Sequence, residues 1–216
     1  MPPDLRDDAG FDDQLPVSLQ PKSPVHFTPV EVARQAASLL APEPGMTVLD
    51  VGAGVGKFCI AAALAQPAVK FVGVEQRPHL VQIANRLARV WGLSNARFVH
   101  ADALHLDWSR FDAFYFFNPF GEHLFTSALV LDRTIELTPS TFLLYVTAVH
   151  ERLARARPGT RVVTYHGYGG PPPASYELIR DEAVGTDRLA LWIKTRPSRR
   201  SSSQSRRTAA RRPRCS

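Results

Sequence analysis

The run Thr47-Val-Leu-Asp-Val51 passes directly into Gly52-Ala-Gly54-Val-Gly56, and then into KFCIAAALAQ. A short β-rich apolar run, glycines at alternate positions and a helix-forming run predict a strand, a tight turn and a helix in that order. Glycine lets the backbone turn sharply there and lets a ligand approach main-chain atoms with no Cβ in the way. Two readings are open: a tight strand-to-helix turn and nothing more, or a nucleotide-type cofactor loop. The phosphate-binding versions fit badly. Counted from Gly52 and Gly54, the G-x-G-x-x-G fingerprint meets Lys57 where its third glycine belongs. A Walker loop fails on spacing and has Phe58 in place of the metal-binding hydroxyl.

The rest of the chain continues the alternation. In HFTPVEVARQAASLL, Thr28 is placed as an N-cap, Pro29 at the first helical position and Glu31 to close a capping box; the helix stops at Pro42-Glu-Pro-Gly45. VKFVGVE reads as a strand, PHLVQIANRLARVW as an amphipathic helix opened by Pro78, and ARFVHAD and FDAFYFFN as two further strands. Helical stretches are predicted over about 121–137 and 141–156. RVVTYHGYG is the next strand, and SYELIRDEAV and RLALWIK flank Gly185-Thr-Asp as a hairpin. Strands that are apolar throughout imply a sheet with both faces covered. The predicted class is therefore α/β, a doubly wound, mostly parallel seven-stranded sheet that closes with a C-terminal antiparallel hairpin.

Charge divides the chain. The sequence carries 26 Lys+Arg against 20 Asp+Glu, a net of +6, but residues 196–216 hold eight arginines and no acid. Without them the body has 18 basic and 20 acidic groups, so the basicity is a property of the tail. That tail is rich in Ser, Arg and Pro and is expected to be disordered. Residues 1–24, rich in Asp and Pro, are expected to form a loose arm, with one domain over 25–195. Two cysteines, Cys59 and Cys215, build no disulfide framework, and no Cys/His cluster has zinc-ligand spacing, so no metal site is expected. With no signal peptide and no apolar run of about 18 residues, the reading is a cytoplasmic protein that does not meet a membrane.

Acids follow three successive strands: Asp50, Glu75 and Asp102. Taken singly, each is as readily a solvated strand end as a ligand group. Together, after a glycine loop, they would line the carboxyl edge of the sheet, where open α/β folds bind ligands. VLDVGAGVG with Glu75 and Asp102 resembles class I S-adenosylmethionine-dependent methyltransferases, over about residues 27–195. The resemblance implies a cofactor held by Asp50, Gly52, Ala53, Gly54, Gly56, Glu75, Gln76, Asp102 and Ala103. Glu75 would take the ribose hydroxyls, Asp102 would lie near the adenine amino group, and Asp50 would orient the loop and the cofactor's cationic end.

The fourth strand ends in Phe116-Phe117-Asn118-Pro119-Phe120-Gly121-Glu122. This resembles, with one proline fewer, the (Asn/Asp)-Pro-Pro-(Tyr/Phe) element of amino-directed methyltransferases. The resemblance makes Asn118, Pro119 and Phe120 the catalytic element, Asn118 adjoining the cofactor as well. A nucleobase amine and a lysine-type amine both stay open as acceptors, the latter in a cage drawn from Phe114, Tyr115, Phe116, Phe117 and Phe120. Strand alternation allows about two of these to face the site, Phe117 and Phe120 being favoured, with the others as packing. Glu122 reads first as an acid in the opening turn of a helix, and second as a base or anchor. His166, beside Gly167 and Gly169 at a strand end, is a substrate-contact candidate, and Phe27 one for the cofactor's methionine end. The expected activity is methyl transfer to a nitrogen of a protein or nucleic-acid substrate. The alternative is a nucleic-acid-binding protein working through its Arg-rich tail, with the α/β body as scaffold; a Rossmann oxidoreductase is disfavoured by Lys57 and by the hairpin.

Overall fold

The computed structural model describes residues 5–124 and 130–196. The chain opens with a short helix α1 (Asp8–Asp12), a 3-10 turn at Gln20–Lys22 and one helical turn α2 (Ser23–His26), then α3 (Val30–Leu40). There follow β1 (Thr47–Val51), α4 (Lys57–Ala65), β2 (Lys70–Glu75), α5 (Pro78–Val90), β3 (Ala96–His100), β4 (Ala113–Phe117), α6 (Pro139–Arg155), β5 (Arg161–Tyr165), β6 (Tyr176–Val184) and β7 (Asp187–Lys194). The seven strands form one sheet in the order β3-β2-β1-β4-β5-β7-β6. β1 to β5 are parallel; β7 inserts antiparallel between β5 and β6. The reversal of strand order falls between β1 and β4, and the ends of those two strands carry the glycine loop and Asn118.

Period-two alternation sorts the strand residues between two cores. Val48, Phe71, Tyr115, Val163 and Leu191 pack with α3, α4 and α5. Leu49, Val51, Phe114, Phe116 and Val162 pack with α6 and with Trp108. Phe114, Tyr115 and Phe116 are thus core residues, each at most 1% exposed. β6 is the edge strand and is exposed along most of its length.

Three sequence-based expectations need correction. The N-terminal arm is ordered over its described residues. Phe11 is fully buried and stacks on Trp91 at 5.4 Å, and Leu15 and Leu19 are buried. Lys57, 2% exposed, is held at 2.8 Å by Asp8, at 2.9 Å by Asp12 and at 3.0 Å by the Ser23 hydroxyl. A lysine in the core has to be paired, and its two acids come from the segment whose acidity had suggested a solvated arm. The capping box at Thr28 does not form: the Val30 N–H donates to Asp8 at 2.9 Å, Thr28 bonds the Tyr115 hydroxyl at 3.1 Å, and Glu31 accepts from Gln35. A cap from across the fold replaced the local one. Of the helix predicted over 121–137, only a 3-10 turn at Gly121–Leu124 is present; residues 125–129 lie outside the described segment, and 130–138 contain no helix. α6 instead begins at Pro139, capped by the Thr138 hydroxyl, which accepts from the Thr141 N–H.

Candidate functional site

At the carboxyl edge of the parallel strands lies a cavity of about 330 Å³, within the range of small-molecule sites. Its floor is the β1–α4 loop. Gly52 is at φ +78°, and a Cβ there would lie 2.8 Å from Pro119, so the glycine is needed both for its conformation and for the approach of the β4 loop. The Gly54 N–H donates to Glu75 Oε2 at 3.0 Å, and the Arg77 N–H to Glu75 Oε1 at 2.9 Å. The Gln76 N–H adds a third backbone contact to the same carboxylate. Burial raises the Glu75 carboxyl above the usual carboxylate range, opposed by those N–H groups and by the Arg77 guanidinium.

The residues picked from sequence separate here into two groups. Gly52, Gly54, Glu75, Gln76, Ala103, Asn118, Pro119 and Phe120 line the cavity, together with Phe27, Phe117, Glu122 and His166. Asp50, Ala53, Gly56 and Asp102 do not form its wall. Asp50, expected at the cofactor's cationic end, sits 3% exposed inside the sheet between Gly73 and Tyr115, with the Cys59 thiol 3.6 Å away. Burial, with a smaller contribution from Glu75, raises its pKa to about 8, so it is largely protonated at neutral pH and offers no countercharge. Asp102 stands one layer back. Its Oδ1 caps Leu104 N at 2.8 Å and its Oδ2 accepts from the Tyr145 hydroxyl at 2.7 Å.

Tyr145 was not legible in the sequence. It projects from the middle of α6 and bonds both Gln76 and Asp102, and its ring stacks on Phe120 at 4.9 Å, so one side chain ties the β2, β3 and β4 ends together. Its pKa is pushed up to about 12 by burial and by Asp102. Arg77, 5% exposed, was also missed. It reaches Glu122 at 2.7 Å, Asp132 at 3.1 Å and Glu75 at 3.9 Å. Burial works against the guanidinium charge, and the three acids outweigh it. Glu122 also accepts the Leu131 N–H at 2.5 Å, so this acid is an anchor for the 130–138 segment, whose Leu131, Ile135 and Leu137 line the cavity. Only long-range partners distinguish Arg77 and Tyr145 from ordinary surface and helix residues.

On the other wall, the Asn118 backbone is at φ +40°; its N–H donates to Gly167 O at 2.9 Å and its carbonyl accepts the Gly121 N–H at 3.1 Å. Its side chain lies over Gly121, where a Cβ would come within 2.2 Å of Nδ2, and makes no hydrogen bond among the described residues. An amide presented to a cavity with its polar atoms unspent can take a ligand donor.

A glycine loop, a buried acid ending β2 and a polar β4 end around one cavity, on a sheet of this order, define the class I methyltransferase fold. The chain belongs to the methyltransferase-domain family, whose model matches residues 42–157, and S-adenosylmethionine is the methyl donor that the class employs. The fold is shared with an RNA methyltransferase from Salinibacter ruber solved with S-adenosyl-L-homocysteine (TM-score 0.55, 22% identity, 79% of this chain and 94% of that one). It is shared also with TrmN from Thermus thermophilus (TM-score 0.59, 24% identity, 81% of this chain and 52% of that one). Among curated proteins, the chain is 38% identical over 96 residues to the 23S rRNA (uracil(1939)-C(5))-methyltransferase RlmD of Shewanella sp. strain ANA-3. That match takes in 42% of this chain and 21% of the relative. RlmD of Alkalilimnicola ehrlichii is 46% identical over 68 residues, 32% of this chain and 15% of the relative. The chain thus matches about a fifth or less of the length of these relatives.

The cavity suits that cofactor. Gly52, Gly54, the Glu75 carboxylate, Gln76, Ala103 and the stacked Tyr145–Phe120 pair line one cavity, so an acid acceptor for vicinal hydroxyls and an aromatic wall stand together there.

Proposed function

We propose that this protein transfers a methyl group from S-adenosylmethionine to a nitrogen of RNA. The observation that carries the nitrogen assignment is the Asn118 amide, presented without a partner on the wall of the cavity that Glu75 and the glycine loop share. Its oxygen would accept a hydrogen bond from the acceptor N–H and hold the lone pair in line with the methyl carbon, which is most of what such a transfer needs. Phe117 and Phe120 would flank a planar base. Glu75 would accept from the ribose hydroxyls, Gln76 and Ala103 would border the adenine, and Asp102 would act through Tyr145.

The relatives named for C5 of uracil call for a different chemistry. That carbon becomes nucleophilic only after a thiolate adds to the ring. Among the described residues the one cysteine is Cys59, fully buried beneath the loop, with its thiol pushed well above its ordinary range by burial and by Asp50. It does not reach the cavity wall.

RNA as the acceptor class draws support from the RNA-directed names of the relatives and from the eight arginines of residues 196–216, all but the first of them outside the described residues. The test is methyl transfer from radiolabelled S-adenosylmethionine to total RNA and to total protein from cells lacking the chain, with mass spectrometry of the labelled nucleosides. Label on a ring or exocyclic nitrogen is expected. Label on C5 of uridine, or in protein alone, overturns the assignment. Removing residues 196–216 should weaken RNA binding and flatten its salt dependence while cofactor affinity stays unchanged.

A further inference from the structure

Among the described residues two non-glycines have positive φ, Asn118 at +40° and His166 at +60°. Such conformations are strained for a residue with a side chain, and they collect where a site over-determines them. These two are neighbours. Phe117 and Tyr165 are paired at the ends of β4 and β5, Asn118 N–H donates to the carbonyl of Gly167, and both Asn118 and His166 line the cavity.

The His166 ring is held on three sides. Phe117 meets it edge-on at 5.3 Å and Tyr165 at 4.6 Å. The third side is Asp187 at the start of β7, whose Oδ2 faces His166 Nδ1 and whose Oδ1 accepts the Arg188 N–H at 2.7 Å. A carboxylate only accepts, so a ring whose Nδ1 faces Asp187 favours, when neutral, the Nδ1–H tautomer with its lone pair on Nε2. His123, also on the cavity wall, has the opposite polarity: its Nδ1 accepts the Thr138 N–H at 3.1 Å, so its Nε2 is a donor. Glu122 is spent on Arg77 and Leu131, and Glu75 is held by the loop and given to the cofactor. Nearby, the Tyr165 hydroxyl donates to Val184 O at 2.9 Å, and Thr186, Phe117 and Asn118 share the cavity wall with His166.

We propose that His166, oriented by Asp187, is the base that takes the proton from the methyl-accepting nitrogen. The inference rests on the reading of this site as a nitrogen methyltransferase. As the acceptor lone pair forms the N–C bond, the electron pair of the breaking S–C bond returns to sulfur. The N–H proton passes to His166 Nε2 and from there to solvent. Asn118 and His166 then act on the same nitrogen in different ways. The amide oxygen aligns it, the imidazole removes its proton, and Asp187 is a positioning residue.

Two measurements on the full chain test it. The first is nitrogen-15 NMR of the histidine rings without cofactor: the His166 signals should show the Nδ1–H form, and Asp187→Asn should depopulate it. An Nε2–H form in the unsubstituted chain overturns the assignment whatever the substrate. The second is single-turnover methyl transfer to total RNA as the probe. His166→Gln should slow transfer roughly 100- to 1,000-fold, keep S-adenosylmethionine affinity within about twofold by calorimetry and regain rate with added imidazole. Asp187→Asn should slow transfer less. A His166→Gln rate within about threefold of the parent overturns the proposal. Absence of transfer by the unsubstituted chain refutes the functional reading instead, and the NMR result still decides the tautomer.

Discussion

Replacing Asp50 by Asn gives a direct measure of what that buried carboxyl costs. Its pKa rises from 3.8 to about 8, chiefly through burial. A folded-state pKa above the unfolded value means that the unfolded chain binds fewer protons between the two values, so the contribution to stability is fully present below pH 3.8 and is lost as pH rises toward 8. Each pH unit in that window is worth ~1.4 kcal/mol. Between about pH 5.5 and 7.5 the parent should therefore lose ~3 kcal/mol relative to Asp50→Asn, a side chain of similar shape that does not titrate. For a domain of this size that corresponds to roughly 6–12 °C in melting temperature. Differential scanning calorimetry of both proteins across that range reads it out. Groups remote from Asp50 titrate alike in both proteins and cancel in the difference; Glu75, coupled to Asp50, adds a smaller change of its own. The gap should stop widening above about pH 8, and S-adenosylmethionine affinity at neutral pH should change less than about threefold because Asp50 lies off the cavity wall. Parallel melting curves would show that the carboxyl is not held protonated, and a large loss of affinity would restore the role in cofactor binding that the sequence suggested.

Glu75→Ala should abolish measurable S-adenosylmethionine binding by calorimetry, since it removes both the buried acceptor and the group that holds the Gly54 N–H; retained binding would place the ribose elsewhere. Asn118→Ala should bind cofactor normally yet transfer at least about 100-fold more slowly in single turnover, and an unchanged rate would remove the amide from the reaction. Phe11→Ala, which deletes a fully buried ring stacked on Trp91, should cost about 3–5 kcal/mol in chemical denaturation. Lys57→Met should destabilise less but expose the arm to limited proteolysis, because Asp8 and Asp12 lose their partner; an arm as resistant as the parent's would show that Phe11 packing alone holds it.

Local chemistry and period were enough to determine the framework. The apolar runs, the glycine turn and the Gly185 hairpin signal the seven strands and their class, because a strand's alternation and a turn's backbone demand are written in adjacent residues. The carboxyl-edge location of Gly52, Glu75 and Asn118 follows from their places at the ends of parallel strands. Tertiary structure decided what each polar side chain does there. Asp50 and Glu75 both sit in the last positions of apolar strands, yet one points into a closed core beside Cys59 and Tyr115 and the other onto the cavity wall, a difference set by which face the neighbouring helices cover. Residues 7–13 look like a solvated acidic arm until Lys57, 45 positions beyond Asp12, turns out to need two carboxylates. Arg77 and Tyr145 stand in ordinary local sequence and acquire roles only through partners 45 and 43 residues away. His166 and Asp187 likewise become a pair only because β7 inserts antiparallel beside β5, which brings the start of one strand against the end of the other. Burial and charge pairing depend on the whole packed fold, and neither is encoded within the span of a single helix or strand.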